Sequence, residues 1–266
     1  MAYISLSRRD TNVLEKIKDP ESDPSSAIQI DATLQKDPHI LDQQEYAELS
    51  QKERDIILAI QGLELQSAVP RSREMPEIDI VGGYRQCVSR LRSLIDDQPK
   101  YASARNNRAQ ALRRLCGDCM LVTGAPQPPQ ALLRHIDDAE RQEMAQTVLC
   151  DLDRSISLLT PSEPYSKISP QTARTLSMAH TQRAAVYLAT SKLISSNPVS
   201  IDVERRELRW TKLDFEENAS RDFAMGGRYG NEIAKGLAVA TNPTAKLCGQ
   251  MVREAMKKEY GPDFPV

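Results

Sequence analysis

Between Pro99 and Gly117 the chain reads Tyr-Ala-Ser-Ala-Arg-Asn-Asn-Arg-Ala-Gln-Ala-Leu-Arg-Arg-Leu-Cys, with small residues at Ala102, Ala104, Ala109 and Ala111. Leu112 and Leu115 extend the apolar side of the same segment. A helix whose buried side is mostly alanine fits only where another helix backbone comes close, because small side chains set a short interaxial distance. The Pro before the segment and the Gly after it are helix boundary signals. The segment predicts a stack of closely packed helices.

The totals agree with an all-helical chain. Of 266 residues, 40% are hydrophobic and only 5% aromatic, a poor supply for the faces of a β-sandwich. The 35 basic and 37 acidic residues leave a net charge of −2, which removes the electrostatic case for nucleic-acid binding. Five cysteines, an odd number, predict reduced thiols in the cytoplasm in place of a disulfide framework. No apolar run approaches the roughly eighteen residues of a membrane span, and the first ten residues lack a signal-peptide core.

Periodicity then lays out the elements. A short helix is expected over 8–18, followed by an acidic, Pro-containing, aperiodic lead-in to about residue 43. Helices are expected over 44–68, 80–97, 101–117, 137–159, 171–195, 201–227, 231–241 and 244–259. Inserted loops fall at about 118–136, 160–170 and 191–207, and a short tail occupies 260–266. No segment reads as a strand.

Three degenerate hairpins can be aligned. Small or medium, bulky, and small or medium residues recur at intervals of four and three in the second helices: Cys87/Leu91/Leu94, Val148/Leu152/Ser155 and Ala219/Phe223/Gly226. The facing small residues of the first helices are Gly62, Ala109 and Ala184. Leu91 and Ala109 are 18 residues apart, which suits neighbouring repeats of about 34 residues in a tetratricopeptide array. The longer spacings within each hairpin reflect insertions, which a stacked array tolerates at small entropic cost. The fold class is an all-α solenoid of about three such hairpins closed by C-terminal capping helices.

Three stretches carry a resemblance to the tetratricopeptide repeat protein 36 family. They are Asn106-Asn-Arg-Ala-Gln-Ala followed by Arg-Arg-Leu-Cys-Gly117, Ala219-Ser-Arg-Asp-Phe223 with Gly226 and Gly230, and Asn242-Pro-Thr-Ala-Lys-Leu-Cys-Gly-Gln-Met251. Val13-Leu-Glu-Lys-Ile-Lys-Asp-Pro20 resembles the short N-terminal motif of that family. The departures are the three long loops, Leu112 inside the second-repeat motif, and Gly249 where the family tends to have Asn. The resemblance implies a cytosolic adaptor without catalytic residues, associated with heat-shock chaperones and with tyrosine catabolism.

Candidate partner-binding residues on the first helix of the second hairpin are Asn106, Asn107, Gln110, Arg113 and Arg114, whose amides and guanidinium groups suit peptide backbone and carboxylate. The competing reading is a solvated helix face. Arg108 beside Ala109 and Arg183 beside Ala184 read as internal struts that pair with acids of the neighbouring helix. The five-ligand carboxylate clamp of chaperone-tail adaptors is absent: Asn107 fits one place, but Ala59, Leu63, Met178 and Gln182 occupy the others. Cys116 and Cys119 form a C-x-x-C pair, but at a helix C-terminus, where the dipole raises a thiol pKa. A second C-x-x-C for zinc is lacking.

Cys87, Cys150 and Cys248 read as small apolar packing residues. Gly226 suits a close helix crossing and Gly230 a helix C-cap. The expectation is an adaptor that binds a protein partner, a chaperone or a metabolic enzyme, with no cofactor, metal, nucleic acid or membrane. The alternative is a small thiol-redox or metal protein using Cys116 and Cys119.

Overall fold

The computed structural model describes residues 28–68, 79–126, 128–163, 166–194, 198–201 and 205–260, and among them it is all-helical. The eight α-helices are α1 Gln43–Ala68, α2 Ile80–Asp97, α3 Ala102–Cys116, α4 Asp138–Leu159, α5 Pro170–Leu193, α6 Lys212–Arg228, α7 Glu232–Thr241 and α8 Pro243–Tyr260. Extended pairing among the described residues is limited to two isolated bridges, Ile30 with Ile168 and Val122 with Val199. The expected helix over 8–18 and the tail beyond Tyr260 lie outside the described residues.

Local chemistry sets most of the helix starts. Asp79, Asp137, Ser169 and Asn231 each accept a hydrogen bond from a backbone N–H in the first turn of α2, α4, α5 and α7. Pro170 opens α5, where a missing N–H costs nothing. Thr211 and Asp214 form a reciprocal capping box at the start of α6.

That box corrects one expectation, since the helix predicted from residue 201 begins only at Lys212. A 3-10 turn over Arg206–Arg209 comes first. It is held because Glu207 accepts from Tyr187 and Arg205, while Trp210 packs edge-on against Tyr187 and Phe215. Those side chains turn inward onto α5 and α6, which a continuous helix would prevent.

Each helix from α1 to α8 packs on the next in sequence, and α3 also meets α5. This serial order is what short-range stacking of hairpins produces. The central helix α5 is buried on most of its circumference, from Thr172 to Ser191. All the aligned repeat positions, Cys87, Leu91, Leu94, Ala109, Val148, Leu152, Ser155, Ala184, Ala219, Phe223 and Gly226, are buried. Gly62 is different: a Cβ there would meet nothing within 4 Å, so no helix crossing demands its small size. Cys150 and Cys248 are exposed, not packed as apolar residues, because they fall on the outer sides of α4 and α8.

The hairpins α3–α4 and α5–α6 share one polar arrangement at the crossing. In the first, Asp151 receives Arg108 through two hydrogen bonds of 2.7 and 2.8 Å and Arg105 at 3.2 Å. In the second, Asp222 receives Arg183 through two bonds of 2.7 Å, and His180 Nδ1 lies 2.8 Å away. Arg108 precedes the fully buried Ala109 as Arg183 precedes Ala184, and each aspartate precedes the bulky residue of its motif, Leu152 or Phe223.

A second crossing contact recurs with its roles reversed. Ser155 donates to the Ala102 carbonyl, whereas Ser177, at the place of Ala102, donates to the Gly226 carbonyl. A Cβ on Gly226 would stand 2.5 Å from Thr181 Oγ1 and 3.3 Å from the Ser177 carbonyl, so this crossing requires glycine. After it, Gly230 takes φ +103° and its N–H bonds the Gly227 carbonyl, ending α6.

Two stretches without regular structure are also built into the core. Residues 28–42 lie against the end of α4 and the start of α5: Ser169 donates to the Lys36 carbonyl and His39 Nε2 lies 2.8 Å from the Leu158 carbonyl, while Ile40 is buried in the cluster of α1, α2 and α3. The loop between α3 and α4 buries Val122, and it places Met120, Leu121 and Leu133 in the same cluster as α3, α4 and α5.

Burial raises the Asp222 carboxyl, yet the bonds from Arg183 and His180 outweigh it and hold the group below its ordinary value. A depressed carboxyl stabilises the fold above its unfolded pKa, and that contribution is lost as pH falls through the folded value. Asp222→Asn is therefore expected to cost about 3–5 kcal/mol near neutrality, by leaving Arg183 short of its partner. The gap to wild type should close as pH falls below about 4. Urea unfolding midpoints across that range measure both effects, and a gap independent of pH would contradict the pairing.

Candidate functional site

The first helices of the hairpins, α1, α3 and α5, share a side of the molecule, and near their C-terminal ends they bound a cleft of about 1290 Å³. Ile57, Ile60 and Leu65 come from α1, Gln110 and Ala111 from α3, and Ala189 and Leu193 from α5. The loop after α3 supplies a proline wall, Pro126, Pro128 and Pro129. That wall is held tightly. Gly117 takes φ +81°, and a Cβ there would reach within 2.5 Å of Pro128 Cγ. Leu132 and Leu133 then donate back to the carbonyls of Arg114 and Leu115, capping the end of α3.

The predicted binding residues divide by environment. Asn106 does not face the cleft: it is 2% exposed and accepts from Gln182 Nε2 at 2.8 Å, fixing α3 to α5. This corrects its expected place in the groove, since the alanine-rich side of α3 includes it. Asn107, Gln110, Arg113 and Arg114 do line the cleft. Asn107 donates to Glu53 at 2.7 Å, and the Tyr101 hydroxyl donates to the same carboxylate. Burial pushes the Glu53 carboxyl up despite these bonds.

Arg113 pairs with Asp118 at 2.7 Å. Arg114 grips Glu64 with two bonds of 2.6 and 3.1 Å and also bonds the Gln130 carbonyl. The hydrogen bond from Arg114 holds Glu64 below the usual carboxylate range, against a smaller opposing effect of burial, and the Tyr84 hydroxyl donates to it as well. The two guanidinium groups thus build the wall of the cleft.

Sequence reasoning missed Gln61, Glu64, Tyr84 and Lys192, all of which line the cleft. The position of Gln61 and Glu64 on a first helix was the available signal. Lys192 sits in the last turn of α5, a segment expected to be giving way to an inserted loop, and nothing nearby marked it.

The remaining candidates stand in buried surroundings. Burial pushes the Cys116 thiol up to about 11, and Cys119 is also raised by burial, then by Asp118. Both shifts oppose the thiolate that redox or metal chemistry needs. Among the described residues no three His, Cys, Asp or Glu side chains gather as a metal set. Buried His180 is stacked on Tyr229 and directed at Asp222, while Ser177 is bonded to the Gly226 carbonyl. No described helix is long and apolar enough to cross a membrane.

These environments order the thiols. With iodoacetamide at about pH 8, exposed Cys150 and Cys248 are expected to react first and Cys116 only on unfolding. Peptide mass mapping over time checks this, and rapid alkylation of Cys116 in the native protein would contradict it.

No family profile matches the chain, and no solved structure does. A curated relative, the L-tyrosine degradation gene cluster protein hmgX of Aspergillus fumigatus, is 35% identical over 257 residues, covering 96% of this chain and 93% of the relative. The match extends along nearly the whole of both chains, and the chain belongs to the family of that tyrosine degradation gene cluster protein.

Proposed function

We propose that this protein is a non-enzymatic adaptor of tyrosine degradation, an array of tetratricopeptide-like hairpins that holds a partner protein in the cleft between its first helices. The observation that carries the reading is the cleft itself. It is open and lined chiefly by apolar side chains, and most of its charged groups are spent on one another. A surface of that kind recognises by shape and burial.

The repeated Asp151 and Asp222 crossings support the hairpin array, because they place equivalent residues of α3 and α5 in one geometry. The resemblance to the tetratricopeptide repeat protein 36 family implies the same architecture and the same metabolic setting. The relative's printed name supports that setting. Between a chaperone and a metabolic enzyme, the enzyme is the better partner. Asn107 is committed to Glu53, and Gln182 is buried against Asn106, so the positions of a chaperone-tail clamp are occupied by structural side chains. A cytoplasmic location accompanies this reading.

The thiol or metal reading is weaker, because burial disfavours the thiolate of both Cys116 and Cys119.

The test uses cells that depend on L-tyrosine as carbon source. Loss of the gene is expected to slow growth on tyrosine, and Leu65→Asp in the full-length protein to reproduce the loss. Leu65 is 71% exposed, so this change should leave the fold intact. The tagged wild type should retain an enzyme of tyrosine breakdown that the variant releases. Normal growth and undiminished retention with a folded Leu65→Asp protein would defeat the proposal, as would turnover of a tyrosine-pathway intermediate by the purified chain alone.

A further inference from the structure

Which ligand the cleft takes follows from which of its groups are still free, and this inference rests on the groove reading above. Arg113, Arg114, Glu64, Asp118, Asn107 and Tyr84 all have partners within the chain. Among the described residues, Gln61, Gln110 and Lys192 have no hydrogen bond or ion pair from their side chains, the Lys192 ammonium acting only on the raised thiol of Cys119. Lys192 is exposed and lines the cleft beside Leu193 of α5, with Ile57 and Leu65 lining it from α1. The uncommitted chemistry is one ammonium, two carboxamides and an apolar floor.

We propose that the cleft binds an extended peptide segment carrying one carboxylate, which pairs with Lys192 while apolar side chains on either side of it fill the floor between Ile57, Ile60 and Leu193.

Each part matches a free group. A carboxamide donates and accepts at once, so Gln61 and Gln110 can satisfy the N–H and C=O of an extended backbone, which otherwise lose their water on entry. The apolar floor needs side chains with no charge to desolvate. The anion is a singly charged carboxylate and not a phosphate. Among the described residues the cleft cation with no ion pair is one ammonium, the Arg114 fork is filled by Glu64, Arg113 is paired with Asp118, and the cleft lies at the C-terminal ends of α3 and α5, where helix dipoles oppose added negative charge. Electrostatic matching of this sort sets register and selectivity more than total affinity.

Random peptides displayed on phage, selected against the purified full chain, provide the probe. The recovered peptides are expected to share an Asp or Glu flanked by apolar residues. For the strongest one, fluorescence anisotropy with the wild type and Lys192→Gln should show a roughly three- to tenfold weakening in the variant. The peptide's own Asp→Asn or Glu→Gln change should weaken binding by a similar factor, with no further loss when both changes are combined. Lys192→Glu should shift the selection toward Lys- or Arg-bearing peptides.

Selected peptides that lack a shared acid, or two changes whose effects simply multiply, would overturn the carboxylate assignment while leaving a groove binder. Failure to select any peptide, or binding unaffected by Leu65→Asp, would instead remove the groove reading itself. Circular dichroism of each variant confirms that a lost signal is not lost fold, since Lys192 and Leu65 are both exposed.

Discussion

A buried aspartate gripped by two side chains of the preceding helix, at least one of them an arginine, holds each central hairpin together. Asp151 and Asp222 are almost fully enclosed, and neither could remain charged there without partners. Each pair of partners comes from one turn of a first helix, Arg105 with Arg108 and His180 with Arg183. The helices can then meet only in the register that joins these groups. Alanine at 109 and 184 lets the backbones approach, but alanine alone would permit sliding along the crossing. The ion pair removes that freedom, and breaking it by removing one partner costs far more than the pair gains over an apolar substitute.

From this register the cleft follows. Because α3 and α5 are fixed alike against α4 and α6, their same-side faces line up, and α1 completes the wall through Glu64 bonded to Arg114 and Tyr84. The first hairpin is joined differently. Among its described residues no aspartate joins α1 to α2, and Glu53, near the middle of α1, is held instead by Tyr101 and Asn107 of the second hairpin. The inserted loop after α3 is part of the same construction, since Arg114 and Gly117 press its prolines against the groove. Kinship with a tyrosine degradation gene cluster protein and a cleft with few free charges are the two observations that support the proposed adaptor role.

Much of this was legible in the sequence wherever short-range rules apply. Helix limits at 80–97 and 138–159 follow from capping residues and apolar period, and the recurrence of Arg-Ala at 108–109 and 183–184 pointed to internal struts. What stayed hidden depends on partners far along the chain. Asn106 looks like a surface amide until Gln182 arrives from α5, and Arg114 looks free until Glu64 does. The stretch before Lys212 has helical composition, yet Glu207 and Trp210 gain more by turning onto Tyr187. Lys192 was invisible for the opposite reason, since its importance lies in having no ion pair among charged cleft groups that otherwise found one.

The most direct measurement is oxidative footprinting of the full-length protein with and without the partner it retains. Leu65, Ile57 and Leu193 should lose reactivity on binding, while Leu247 and Met251, exposed on α8, should keep theirs. Protection of the α8 side chains with an unchanged cleft would contradict the account, because recognition would then use the end of the array and not its groove.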